Sequence, residues 1–311
     1  MGSLIEQAAR RMEQLLAAGV ELQDLLPQAV AEPSAEKEMV VGAKSESSSS
    51  GYVELDLPSL ALQGFLVPGA ARSQLADQYR VIKRPLIDNA MGKGVAASLR
   101  HANLIMVTSA LPGEGKSFTS LNLALSIAAE MDHRVLLVDA DVARPSVLRM
   151  LGLPRGPGLL DVLEERVTLS DVLLRTNIDK LTLLPSGTPH PRATELLASD
   201  AMRSLLDEMA RRYPDRIIIF DSPPLLLTTE SRVLASHMGQ VVVVVHAEKT
   251  RQSIVQQALA TIEFCPLKLM LLNQASANSA GSYGEGYGYG YGYGYGYGEG
   301  QSLGGTSAVV S

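Results

Sequence analysis

At 311 residues and 46% hydrophobic content, the chain is long enough for one sizeable core with peripheral segments. Its single cysteine, Cys265, excludes an intrachain disulfide, and its longest apolar runs fall far short of the roughly 20 residues that span a bilayer. The formal charge of −6 is unevenly placed: residues 1–60 hold four Lys/Arg against ten Asp/Glu, and residues 61–311 hold 23 of each. Bulk charge therefore signals no basic nucleic-acid-binding face, and none is expected. With no basic region followed by an apolar run at the N-terminus, a cytoplasmic location is expected.

Ser3 and Glu6 have capping-box spacing, and Leu4, Ile5, Ala8, Ala9, Met12, Leu15 and Leu16 follow at helical intervals. This predicts an amphipathic helix within residues 1–20, which docks either on a partner or on its own domain. Residues 21–58 are acidic, Ser-rich and poor in apolar side chains, and read as a linker.

A core domain over 59–275 follows. Asn103 to Thr108, Arg134 to Val138, Leu181 to Leu184, Arg216 to Phe220, Gln240 to Val245 and Leu267 to Leu272 are rich in Val, Ile and Leu, and helix-length segments separate them. Runs of this kind predict strands buried on both faces. The expected fold is α/β, a P-loop NTPase with a mostly parallel sheet sandwiched by helices. Residues 276–311 break the pattern. There Tyr283, Tyr287, Tyr289, Tyr291, Tyr293, Tyr295 and Tyr297 alternate mainly with glycine, which predicts a flexible low-complexity tail.

Between the first of the six main predicted strands and a predicted helix lies Ala110-Leu111-Pro112-Gly113-Glu114-Gly115-Lys116-Ser117. That context is what a phosphate-binding loop requires, with Pro112 to Phe118 surrounding a nucleotide. Glycines let backbone N–H groups close on phosphate oxygens, and Lys116 supplies a mobile cation for the β- and γ-phosphates. Ser117 would place its hydroxyl on Mg²⁺. Ala110 stands where the pattern has glycine, so the loop must accommodate a Cβ there.

Two more predicted strands end in carboxylates, Asp139 with Asp141 and Asp221 before Ser222-Pro223-Pro224. Ligands of open α/β sheets bind beyond the carboxyl ends of strands, so these groups should converge on the phosphates. Lys116, Asp139, Asp141 and Asp221 are thus the candidate catalytic set for transfer from ATP, and Ser117, Asp139 and Asp221 the candidate Mg²⁺ ligands. Either Asp139 or Asp141 could accept a proton from the attacking hydroxyl.

The loop, the Val138 to Pro145 segment, the Asp221-Ser222-Pro223-Pro224 motif and the tyrosine cluster, in this order, resemble the bacterial tyrosine autokinases of exopolysaccharide systems, particularly the exosortase-associated branch. The resemblance implies autophosphorylation on the C-terminal tyrosines and a transmembrane chain-length regulator as adaptor at the inner face of the membrane. It also implies that Asn273 contacts the adenine. Asp77, Arg80 and Lys83 are similar to a family helix that contacts the neighbouring subunit in a homo-oligomeric ring. Partition and division-site ATPases of the same fold carry an extra lysine where Leu111 stands here, and remain the alternative. A nucleotide-gated adaptor without kinase activity is the third reading.

Overall fold

A computed structural model describes residues 51–70, 72–93, 99–212 and 215–275. The N-terminal helix, most of the expected linker and the tyrosine-rich segment lie outside the described residues. Eight strands form one sheet in the order β1-β4-β5-β3-β6-β2-β7-β8. The six expected strands are β2 (Leu104–Ser109), β3 (Arg134–Asp139), β5 (Leu181–Leu184), β6 (Arg216–Asp221), β7 (Gln240–His246) and β8 (Lys268–Asn273). All neighbouring pairs are parallel except β4 with β5.

The continuous apolar runs have the cause expected of them, because side chains alternate across the sheet and both faces are covered. Leu104 and Met106 of β2 join one core cluster, and Ile105 and Val107 the other. The second cluster is completed by α2 (Gln74–Ala90) and α3 (Lys116–Ala128). The first is completed chiefly by α5 (Leu159–Leu163), α8 (Asp200–Arg212), α9 (Glu230–Ala235) and α10 (Gln252–Ala260). Short helices α1 (Leu57–Leu62), α4 (Val147–Met150), α6 (Leu169–Val172) and α7 (Ala193–Leu197) fill the connections. Among the described residues no helix is long and apolar enough to cross a membrane.

The linker boundary needs correction. Gly51–Val53 forms β1, paired in parallel with β4 (Leu174–Thr176), and Asn177 exchanges two hydrogen bonds with the Leu55 backbone, both at 3.0 Å. Three-residue strands such as these carry too little periodicity to be read in advance. At the opposite edge β8 is not buried on both faces: Met270 and Leu272 are exposed while Leu269 and Leu271 pack on the core.

Candidate active site

β2 delivers the chain to the middle of the sheet's carboxyl edge, and α3 starts there. Gly113 (φ 83°) and Gly115 (φ 93°) turn the loop through left-handed conformations that only glycine adopts cheaply. A Cβ on Gly115 would lie 2.1 Å from Asn273 Nδ2. Ala110 is fully buried in the core, outside the left-handed region, so its methyl costs the loop nothing. No side chain caps α3, and its first-turn N–H groups face the loop, as anion binding at a helix N-terminus requires.

The loop is held from beneath by Glu114, which is 2% exposed. Its carboxylate accepts from Leu111 N at 2.6 Å, from His246 N at 3.3 Å and from the Thr250 hydroxyl. Asn273, at the end of β8, donates to Glu114 O at 3.0 Å, so this residue does reach the loop. Phe118 packs its ring, tilted by 36°, against Phe65, centroids 5.2 Å apart, in the core cluster that α3 completes. Pro112, Gly113, Lys116, Ser117 and Asp141 line one cleft of about 210 Å³.

The carboxylates converge as expected. Parallel register sets Asp139 beside Asp221 on adjacent strands. Lys116 Nζ lies 2.7 Å from Asp141 Oδ2, 3.9 Å from Asp221 Oδ1 and 3.2 Å from Ser117 Oγ. Burial works to lower the Lys116 pKa, yet the charges of Asp221 and Asp141 outweigh it and hold the ammonium above its ordinary value. Asp221 is fully buried, and burial drives its carboxyl upward against the pull of Lys116.

Asp139 has a different environment. Its Oδ2 accepts from Ser146 N and Val147 N, both at 3.0 Å, while buried Oδ1 has no hydrogen-bond partner. Burial, reinforced by the Asp221 charge, pushes its carboxyl up to about 7. The unpartnered oxygen belongs to a residue lining a second cavity of about 420 Å³, which adjoins the phosphate cleft at Ala143 and Arg149.

Three supporting residues escaped the sequence reading. Ser120 Oγ donates to Asp221 Oδ1 at 3.1 Å, and Ser146 Oγ to Oδ2 at 3.4 Å. Ser146 follows Pro145, one position past the segment that stood out by motif. Asp161 accepts from Gly158 N and Thr188 N, both at 2.9 Å, and so ties the loop after β5 to α5. Only its place two residues into a helix hinted at this.

The α2 residues divide. Asp77 and Arg80 are exposed and pair with each other. Lys83 is 5% exposed and turns inward, 2.6 Å from Glu130 Oε1 and 2.7 Å from Ser126 O at the end of α3. It is a helix C-terminal cation within the fold and not a surface contact. The tyrosines from Tyr283 to Tyr297 lie outside the described residues.

The model of an AAA domain family (AAA_31) matches residues 102–273, more than half of the chain. Tyrosine-protein kinase YwqD of Bacillus subtilis (strain 168) is 31% identical over 215 residues, 68% of this chain and 86% of that protein. Tyrosine-protein kinase ptk of Acinetobacter johnsonii is 35% identical over 188 residues, 60% of this chain, which spans 25% of that longer protein. The solved kinase domain of VpsO is 29% identical with a TM-score of 0.52, covering 64% of this chain and all of that one. With the loop and Lys116 gathered against three buried strand-end carboxylates, this chain belongs to the AAA domain family and, within it, to the P-loop bacterial protein-tyrosine kinases.

Proposed function

We propose that the chain transfers the γ-phosphoryl group of ATP to tyrosines of its own C-terminal cluster, and that this modification regulates exopolysaccharide synthesis and export. The observation that carries the reading is the placement of Lys116 2.7 Å from Asp141 and 3.9 Å from Asp221, at the mouth of a glycine loop. Phosphoryl transfer needs mainly positioning and charge neutralisation, which this set can supply.

Ser117 Oγ, Asp221 and Asp139, which stand as the candidate ligands, offer the hard oxygen donors that suit Mg²⁺. Such a cation would enter with the nucleotide. When bound, it supplies charge neutralisation at the β- and γ-phosphates. The chain's own residues do the rest. Loop N–H groups and Lys116 bind the phosphates, and the place of Asn273 beside Gly115 supports its reading as the base contact.

Of the two aspartates open as proton acceptor, Asp139 is the better placed. Asp141 is engaged by Lys116 and by Arg144 N at 3.1 Å, whereas Asp139 keeps a free oxygen. The phenolic oxygen forms a bond to Pγ as the bond from Pγ to the bridging oxygen breaks. ADP leaves, and the phenolic proton passes to Asp139. A carboxylate raised toward 7 accepts that proton less uphill than an ordinary one.

The tail begins three residues after Asn273, and a Gly-rich chain of about 20 residues spans roughly 25 Å. Transfer in trans within a homo-oligomer fits that reach, with Asp77 and Arg80 as the exposed α2 residues that would meet a neighbour. A transmembrane chain-length regulator would hold the assembly at the inner membrane face. The test mixes a Lys116→Ala chain that keeps its tail with an active chain truncated after Ala275, in Mg-ATP. Phosphotyrosine on the Lys116→Ala tail is expected; an unlabelled tail excludes transfer in trans.

A further inference from the structure

The second cavity lies beside the phosphate cleft, sharing Ala143 and Arg149 with it. Pro145, Leu148, Leu153 and Pro189 give it apolar walls, and Asp139, 1% exposed with Oδ1 unpartnered, stands at its lining. Its 420 Å³ admits one aromatic ring with the adjoining backbone. The walls are fixed in advance. Leu159 N donates to Pro185 O at 2.8 Å and Leu160 N to Ser186 O at 3.0 Å, while Asp161 secures Thr188. A Cβ on Gly158 would lie 2.1 Å from Pro185 O, so the two segments meet backbone to backbone.

Two further lining residues, Arg149 and Arg155, are exposed, and neither has an acidic partner within 4 Å among the described residues. Apolar walls suit a phenol, but two unpaired guanidinium groups suit an anion beside it. We propose that this cavity selects tyrosines that have a carboxylate two residues away, with Arg149 and Arg155 as the specificity-determining residues. The proposal rests on the kinase reading above and adds to it a rule for acceptor choice.

The tail supplies such tyrosines and contrasting ones in the same segment. Glu285 lies two residues from both Tyr283 and Tyr287, and Glu299 two residues from Tyr297. Tyr289, Tyr291, Tyr293 and Tyr295 are four or more residues from either glutamate. In extended backbone, residues i and i+2 share a face about 7 Å apart, within the reach of an arginine beside an occupied pocket. At four residues the separation is about 13 Å, and the contact is lost.

The experiment follows initial phosphorylation rates of each tail tyrosine by mass spectrometry in the full chain with Mg-ATP. Three chains are compared with the wild type: Arg155→Glu, the double substitution Glu285→Gln with Glu299→Gln, and Arg155→Lys. Arg155 is preferred to Arg149 because Arg149 also lines the phosphate cleft. Expected are rates at Tyr283, Tyr287 and Tyr297 about fivefold above those at Tyr289 to Tyr295, as charge pairing at a partly exposed site allows. The double substitution and Arg155→Glu should each abolish the preference, and Arg155→Lys should retain most of it. Nucleotide affinity should stay unchanged in Arg155→Glu. Equal rates at all seven tyrosines, or a preference that survives the double substitution, overturn the acceptor rule while leaving the kinase intact. Absence of phosphotyrosine from every wild-type tail overturns both.

Discussion

Lys83 and Lys116 both pair with carboxylates, and their surroundings differ in kind. Lys83 meets one carboxylate, Glu130, and one helix-end carbonyl, Ser126 O. Lys116 sits among Asp141, Asp221 and the nearby Asp139, so negative groups outnumber the cation. The first arrangement satisfies every charge within the fold. The second gathers three carboxylates near one cation, and burial, with neighbouring carboxylate charge adding to it, holds Asp139 and Asp221 above their ordinary values, a perturbation that clusters at functional sites. Lys83 is the more deeply buried of the two, so depth alone does not mark the functional lysine; the number of carboxylates around it does.

Replacing each lysine by methionine breaks the comparison most directly. Lys116→Met should lower tyrosine phosphorylation at least about 100-fold, as loss of a principal charge-stabilising group does, measured as initial label incorporation. Lys83→Met should leave the activity of the folded protein within about twofold. It should cost on the order of 2 kcal/mol of stability, because Glu130 and the end of α3 lose their cation. Comparable activity losses in the two variants would erase the distinction.

Asp139→Asn sharpens it from the other side. The folded carboxyl, raised to about 7 from an ordinary 3.8, binds its proton more tightly than in the unfolded chain. The resulting stabilisation is complete below pH 3.8 and is lost as pH rises through 7. At pH 8 the nucleotide-free Asp139→Asn protein should therefore melt about 5 °C above the wild type, while phosphorylation falls. A lower melting temperature would show that the aspartate is structural.

The smallest effect is expected at Tyr79, one turn before Lys83 on the buried face of α2. Burial raises its phenol from 10.0 to about 12, so the neutral form stabilises the fold below pH 10 and that contribution is lost as pH climbs through 12. Thermal melts of Tyr79→Phe should decline less between pH 10 and 12 than those of the wild type.

The same distinction sets what could be read in advance. Strands at the middle of the sheet carry both faces of the core, so their unbroken apolar runs stood out, and the loop and carboxylates at their ends came with them. β1 and β4 have three residues each and little burial, and left no pattern. Lys83 matched a surface motif by spacing, because spacing does not reveal that Glu130 waits across from it in space. Ser120, Ser146 and Asp161 act by supporting other side chains, and small polar residues in that role look like any helix or turn residue until their partners are known.

The excess of carboxylate around Lys116 is most directly tested by mapping phosphate on the purified full chain after incubation with Mg-ATP, beside Lys116→Ala. Phosphotyrosine between Tyr283 and Tyr297 in the wild type, and none in Lys116→Ala, is the expected result. Free phosphate released without protein labelling, or labelling that persists without Lys116, would contradict it.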